Sequence, residues 1–66
     1  MPYTVIVNIE YDPEQQQLKI TFLSGSVYRY YKVPPEVMDL FNRYKSKGQV
    51  FNRFIKDKYD YDKLNQ

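Results

Sequence analysis

The fold is decided by residues 18–33, which read LKITFLSGSVYRYYKV. Leu18, Ile20 and Phe22 alternate with polar residues, which is the period of a strand with one covered face and one face in water. A Ser-Gly-Ser turn at 24–26 follows, because glycine tolerates the positive φ of a tight turn. A second strand then completes a hairpin, so this stretch predicts antiparallel β-structure.

The strand predicted over 27–33 has two alternative registers. A two-residue loop would place Arg29 and Tyr31 on the core face, whereas a three-residue loop would place Tyr28 and Tyr30 there. Burying Arg29 without an ionic partner would cost several kcal/mol of hydration. We therefore favour the three-residue loop.

Towards the N-terminus, residues 3–12 read YTVIVNIEYD and predict another strand, rich in β-branched residues. Its core-facing residues are expected to be Val5, Val7, Ile9 and Tyr11. The link at 12–15 reads DPEQ and predicts a turn, since Pro presets φ and Asp can bond its own downstream backbone. Together the three strands predict an antiparallel meander.

Two short helices are predicted after the sheet. Pro34 and Pro35 end the third strand and suit the start of a helix. The apolar stripes are Val37, Leu40, Phe41 and Tyr44 in the first helix, and Val50, Phe51, Phe54 and Ile55 in the second. The turn between them has two alternatives: Ser46 caps the second helix in a capping box with Gln49, or Gly48 ends the first helix.

The pattern as a whole predicts one α+β domain over residues 1–66, of order βββαα, with both helices on one face of a three-stranded meander. Residues 60–66 belong to a stretch that alternates charge and Tyr and lacks helical periodicity, so we expect a frayed tail there. Packing of Tyr59, Tyr61 or Leu64 back onto the body is the alternative.

Composition restricts the function. The chain has no His and no Cys, so imidazole bases, thiolate nucleophiles and the usual zinc ligands are absent. The alternating Asp57, Asp60 and Asp62 do not provide the rigidly spaced carboxylate pair that acid–base catalysis needs. The expectation is a non-enzymatic protein with no catalytic residue, metal, cofactor or small-molecule substrate. The chain has no run of ~18 apolar residues, so a cytoplasmic location away from membranes is also expected.

Charge is distributed unevenly along the chain. Residues 1–40 carry three basic and five acidic side chains, whereas residues 41–66 carry seven basic and three acidic ones. Between 43 and 56 all charged residues are basic: Arg43, Lys45, Lys47, Arg53 and Lys56. Clustered at the corner between the helices, these cations predict a surface that neutralises phosphates of RNA or another nucleic acid. The alternative is a solvated helix face that only aids solubility.

Two further surfaces are candidates for binding. In the favoured register the outer sheet face presents Ile6, Asn8, Lys19, Thr21, Arg29 and Tyr31. Of these, Lys19, Arg29 and Tyr31 form a second candidate nucleic-acid surface, because a base can stack on a ring beside cations. The first strand, if it lies at an edge, is the basis of the alternative function, a protein interaction or self-association module. The outer sheet face could also serve that alternative.

Tyr28 and Tyr30 are either contact residues that stack on a ligand or core rings under the helices. With other short motifs along the chain they form an ordered pattern that resembles a known family. The motifs are Leu18-x-Ile20-x-Phe22-x-Ser24-Gly25, Tyr28-x-Tyr30, Val33-Pro34, Ser46-Lys47-Gly48, Phe51-Asn52 and Ile55.

In this order the motifs resemble the KTSC domain family, over about residues 7–59. The resemblance implies a small stand-alone bacterial protein, whose module also occurs at the C-terminus of some lysyl-tRNA synthetases. It marks Tyr28, Tyr30, Ser46, Lys47 and Gly48 as family-motif positions. Attachment to a synthetase favours RNA as a partner without naming contact residues.

Overall fold

A computed structural model describes residues 5–65, which form an antiparallel sheet with helices on one face. The sheet order is β1 (Ile6–Asp12), β2 (Gln17–Phe22), β3 (Val27–Tyr30) and β4 (Tyr61–Lys63). The helices are α1 (Glu36–Arg43) and α2 (Lys47–Val50), and the π-helical turn Phe51–Ile55 continues α2. The predicted α+β class is confirmed, whereas the predicted number of three strands is wrong.

The β1–β2 hairpin turns where the sequence predicts. The Asp12 carboxylate accepts hydrogen bonds from the backbone N–H groups of Glu14 and Gln15, at 3.0 and 3.3 Å. A β-bulge interrupts the pairing between Ile6 and Asn8, so one extra residue sits in β1.

The bulge reverses part of the predicted face assignment of β1. Ile9 and Tyr11 pack against the core as expected, but Ile6 packs there too and Val7 is 53% exposed. The predictions that Val7 faces inward and Ile6 outward are therefore wrong, because the extra residue shifts the alternation by one position. The predicted strand positions 3 and 4 lie outside the described residues.

The β2–β3 hairpin has the favoured register. Leu18 lies opposite Tyr30 and Ile20 opposite Tyr28, so Tyr28 and Tyr30 face the core as favoured. The Phe22 N–H donates to the Ser26 carbonyl at 2.9 Å, so the loop has three residues, 23–25, one position before the predicted Ser-Gly-Ser turn. Gly25 in that loop has φ +98°, in the left-handed region that favours glycine.

Strand β3 ends at Tyr30, before the predicted end at Val33. Lys32 has φ 57°, which breaks the extended backbone and turns Val33 into the core. The Val33 N–H donates to the Gln16 carbonyl at 2.9 Å, and its carbonyl accepts the Tyr11 hydroxyl at 2.6 Å. Val33 therefore joins the meander to the first helix as a core residue.

The expected frayed tail over 60–66 is wrong where β4 forms. β4 pairs antiparallel with β3, Arg29 lying opposite Asp62 and Tyr30 opposite Tyr61. Beyond the strand, Asn65 accepts the Val27 N–H at 2.9 Å and donates its side-chain amide to the Gly25 carbonyl at 2.6 Å. Gln66 lies outside the described residues.

The helices cover the Leu18 face of the sheet, as predicted. Ser46 caps α2 by accepting the Gln49 N–H at 3.2 Å. Gly48 lies inside α2, so the alternative that it ends the first helix is wrong. The buried core consists of Leu18, Ile20, Tyr30, Val33, Val37, Phe41, Val50, Phe51 and Ile55. Within residues 5–65 no helix has the length and apolar character needed to cross a bilayer.

Candidate nucleic-acid interface

The five cations predicted at the helix corner are all exposed. We call this set, Arg43, Lys45, Lys47, Arg53 and Lys56, the basic corner. Arg43 ends α1, and the extended backbone at Tyr44, with ψ 147°, then turns the chain towards Ser46 and α2. Lys47 begins α2, whereas Arg53 lies in the π-helical turn and Lys56 directly follows it.

No salt bridge to any of these cations forms among residues 5–65. Their charges therefore face solvent. An anionic ligand could bind them without first displacing a carboxylate from a salt bridge. Arg43 and Lys45 precede the helical segment formed by α2 and the π-helical turn, whereas Lys47 and Arg53 lie within it and Lys56 follows it.

At Lys56 the basic corner meets a second feature, a cleft of about 570 Å³. We call it the aromatic cleft. Its lining residues are Val5, Phe22, Leu23, Ser24, Ser26, Tyr28, Tyr30, Phe51, Lys56, Asp57 and Tyr61. Five of these eleven residues carry aromatic rings, and Ser24, Ser26, Lys56 and Asp57 add polar side chains, so the lining is both aromatic and polar.

The rings of the aromatic cleft contact one another in series. Tyr28 lies 5.7 Å from Phe22 and 5.6 Å from Tyr61, both edge to face. Tyr30 lies 5.7 Å from Phe51 and 5.5 Å from Tyr61. Three of these four pairs pack edge to face and the Tyr30–Tyr61 pair is tilted. Ring contacts at these distances hold the rings in place and give the cleft a defined shape.

Tyr28 and Tyr30 have different roles in this cluster. Tyr30 is 4% exposed and belongs to the core, as the packing alternative predicts. Tyr28 is half-buried, because it lies beyond the helices against Phe22 and Tyr61. The family tyrosine pair therefore joins the core to the cleft wall.

The Tyr30 hydroxyl is held in its neutral form. Burial is the main cause that raises its pKa, and the neighbouring Tyr28, Tyr61 and Asp57 raise it further. Within the described residues this hydroxyl forms no hydrogen bond, although Tyr30 lines the cleft. It is therefore a neutral polar group available to a bound ligand.

Lys56 and Asp57 are positioned by the end of the π-helical turn. The Lys56 N–H donates to the Phe51 carbonyl at 2.8 Å, and the Lys58 N–H donates to the Ile55 carbonyl at 3.0 Å. Asp57 has φ 65°, a left-handed conformation that Asp tolerates better than most side chains. This turn places one cation and one carboxylate at the lining of the cleft.

The outer sheet face carries the second predicted surface, and there the charges are balanced. A row of facing residues crosses the four strands: Glu10, Lys19, Arg29 and Asp62. Lys19 lies 4.0 Å from Glu10, and the Tyr31 hydroxyl donates to Asp62 at 2.7 Å. That hydrogen bond is the main cause that raises the pKa of Tyr31, and Arg29 opposes it.

Lys19 and Arg29 therefore lie opposite carboxylates on neighbouring strands, and the Tyr31 hydroxyl is bonded to one of these carboxylates. Two residues of the Ser46-Lys47-Gly48 motif have different roles. Ser46 caps α2, and Lys47 is an exposed cation of the basic corner.

The aromatic cleft is not among the surfaces predicted from the sequence, because Tyr61 reaches it from the unexpected strand β4. A signal was present in the sequence, since Tyr59, Tyr61 and Lys63 alternate with Asp60 and Asp62 in the period of a strand.

Comparison with known proteins agrees with the resemblance. A model of the KTSC domain family matches residues 4–59. The crystal structure of a KTSC domain protein from Yersinia pestis is similar, with a TM-score of 0.83 and 34% identity, covering 98% of this chain and 94% of that one. An uncharacterised protein of Stutzerimonas stutzeri is 44% identical over 79% of this chain and 73% of its own length.

Lysine–tRNA ligase of Nostoc punctiforme is 47% identical over 62 residues, which are 94% of this chain. The matched region is 11% of the ligase, so this chain spans about a tenth of that enzyme's length. The family match covers most of the chain, and the solved relative shares its fold over nearly the full length of both. The chain belongs to the KTSC domain family.

Proposed function

We propose that this chain is a non-enzymatic RNA-binding module that holds phosphates on its basic corner. The observation that carries the proposal is the set of five exposed cations without a salt bridge among residues 5–65. Cations that face solvent can exchange the counterions of a phosphate backbone for direct contact, which is the main source of sequence-independent affinity. On the charge-balanced outer face, Lys19 and Arg29 are only partly exposed and lie opposite carboxylates.

A relative supports the choice of RNA. The name lysine–tRNA ligase says that this relative joins an amino acid to tRNA, and it contains a region 47% identical to this chain. Because that region is about a tenth of the ligase, the ligase reaction is not part of the proposal. A module that adds affinity for RNA is consistent both with a place inside such an enzyme and with a separate chain.

The absence of His and Cys from the sequence supports the non-enzymatic part of the proposal. Of the three carboxylates near the C-terminus, Asp62 accepts the Tyr31 hydroxyl on the outer face, whereas Asp57 lines the aromatic cleft. Asp57 and Asp62 therefore do not share a site in which one acts as acid and the other as base.

The test is a titration of labelled single-stranded and hairpin RNA, followed by fluorescence anisotropy at low and high salt. Replacing Arg43, Lys47, Arg53 and Lys56 with Gln is expected to abolish most binding. A matched control replaces four cations outside the basic corner, Lys19, Lys32, Lys58 and Lys63, with Gln, and so gives the same net charge. Equal losses in both variants, or no binding by the unmodified protein at low salt, would refute the proposal.

The alternative function is a protein interaction or self-association module. Strand β1 is at one edge of the sheet, pairs with β2 alone among the strands of residues 5–65, and exposes Val7. Its bulge shortens the regular stretch that another strand could join. Self-association through this edge would raise the sedimenting mass with concentration and would be insensitive to salt, unlike phosphate binding.

A further inference from the structure

The aromatic cleft exists because the helices cover only part of the sheet face on which they pack. Leu18 and Ile20 are fully buried beneath the helices. Towards the β2–β3 turn and β4, Phe22 and Tyr28 are half-buried and Tyr61 is 54% exposed. The exposed Tyr61 ring can therefore contact a ligand in the cleft. Its contacts with Tyr28 and Tyr30 hold it in place.

The chemistry of the lining favours a flat ligand with a polar edge. Its five rings offer stacking and edge contacts, whereas Ser24, Ser26 and the Tyr30 hydroxyl offer neutral hydrogen-bonding groups. The Asp57 carboxylate can accept from an exocyclic amine. A purely apolar side chain would leave these groups unsatisfied, and unsatisfied polar groups oppose binding. The volume of about 570 Å³ lies within the range of small-ligand pockets.

The aromatic cleft and the basic corner are adjacent, because Lys56 belongs to both. A phosphate bound at Lys56 would bring its own nucleotide to the mouth of the cleft. A base can enter only if it is unpaired, since the rings must reach its face and its hydrogen-bonding edge must be free.

We propose that the aromatic cleft takes one unpaired base of the RNA strand whose phosphates lie on the basic corner. This inference rests on the proposed function and adds a preference to it. The module binds single-stranded RNA more tightly than duplex RNA of the same sequence, and Tyr61 is the main stacking residue. Phe22 and Tyr28 support the Tyr61 ring and form the wall.

The experiment compares a single strand and a duplex at one low salt concentration, with three single variants. Tyr61→Leu removes the ring, Tyr61→Phe keeps it, and Tyr44→Leu removes a ring of similar exposure that lies outside the cleft against Phe54. Thermal melts identify any variant that fails to fold, and Tyr61→Phe is the folded reference if Tyr61→Leu is unstable.

We expect Tyr61→Leu to weaken single-strand binding by roughly fivefold or more, in line with the loss of one stacked base. Tyr61→Phe and Tyr44→Leu are expected to bind as the unmodified protein does, and duplex binding is expected to be unaffected by all three. Equal affinity for strand and duplex, with no effect of Tyr61→Leu, would overturn the inference. Salt-dependent binding that is lost with the basic corner would still support the proposed function in that case.

No binding of either RNA would refute both proposals together. Weakening by Tyr44→Leu as strong as by Tyr61→Leu would place the stacking contact outside the cleft, and so would also refute the inference.

Discussion

Neutralising the basic corner should flatten the salt dependence of RNA binding by an amount that follows from the number of cations. For single strands the logarithm of affinity falls with the logarithm of salt by about 0.7 per phosphate neutralised. If all five exposed cations contact phosphates, the slope is about −3.5. The variant with Gln at positions 43, 47, 53 and 56 keeps Lys45 alone, so its slope is about −0.7.

These slopes predict very different losses over the same change in salt. Between about 50 and 200 mM salt, the unmodified protein should lose affinity about 100-fold and the variant about threefold. The measurement is the anisotropy of labelled single-stranded RNA at several salt concentrations. The control with Gln at 19, 32, 58 and 63 should keep the steep slope. A steep slope in the basic-corner variant, with a shallow one in the control, would show that phosphates bind elsewhere and would refute the reasoning.

Two other predictions concern the fold. Asn65→Ala removes two hydrogen bonds that hold the chain after β4 to the β2–β3 turn. We therefore expect the free energy of unfolding, measured by urea denaturation, to fall by about 1–3 kcal/mol. An unchanged midpoint of unfolding would contradict this role of Asn65. Burial raises the pKa of Tyr30 above its ordinary value of 10.0, so above about pH 10 an unfolded tyrosine loses its proton while the folded one keeps it. The contribution of Tyr30 to the free energy of unfolding should therefore be constant below that pH and fall above it, by at most about 1.4 kcal/mol per pH unit. Tyr30→Phe should lessen the fall, and an equally steep fall in this variant would count against the assignment.

The hairpin centred on Gly25 could be predicted from the sequence because its determinants are local. Alternation fixed the faces of β2, and the cost of burying Arg29 selected the loop length that puts Tyr28 and Tyr30 on the core face. The positions of the helices and the Ser46 cap are also short-range signals, and they are confirmed. The apolar stripe of the first helix is wrong at Tyr44, because α1 ends at Arg43 and the extended backbone at Tyr44 leaves that ring 40% exposed.

The errors arise where one residue changes the backbone or where distant segments pair. The bulge in β1 reverses the predicted faces of Ile6 and Val7, and the left-handed Lys32 ends the extended backbone before Val33. Single-sequence alternation does not report either feature. β4 pairs with a strand about thirty residues earlier, so its short segment has no local partner that would reveal it.

The candidate site divides in the same way. The basic corner could be predicted because its five cations follow one another in sequence without an intervening acid. The aromatic cleft could not, because it depends on which part of the sheet the helices leave open and on Tyr61 arriving from β4. Lys56 was predicted as a phosphate contact, but its place beside the cleft follows only from the tertiary structure.

The central claim is that one continuous surface, from the basic corner to the aromatic cleft, binds single-stranded RNA. The most direct measurement is a titration of isotope-labelled protein with a short single strand, followed by the amide shifts of each residue in NMR spectra. We predict that the largest shifts fall along residues 43–57 and at Tyr28 and Tyr61. Shifts confined to Lys19, Arg29 and Tyr31 on the outer face, shifts along the β1 edge alone, or no shifts at low salt would contradict the account.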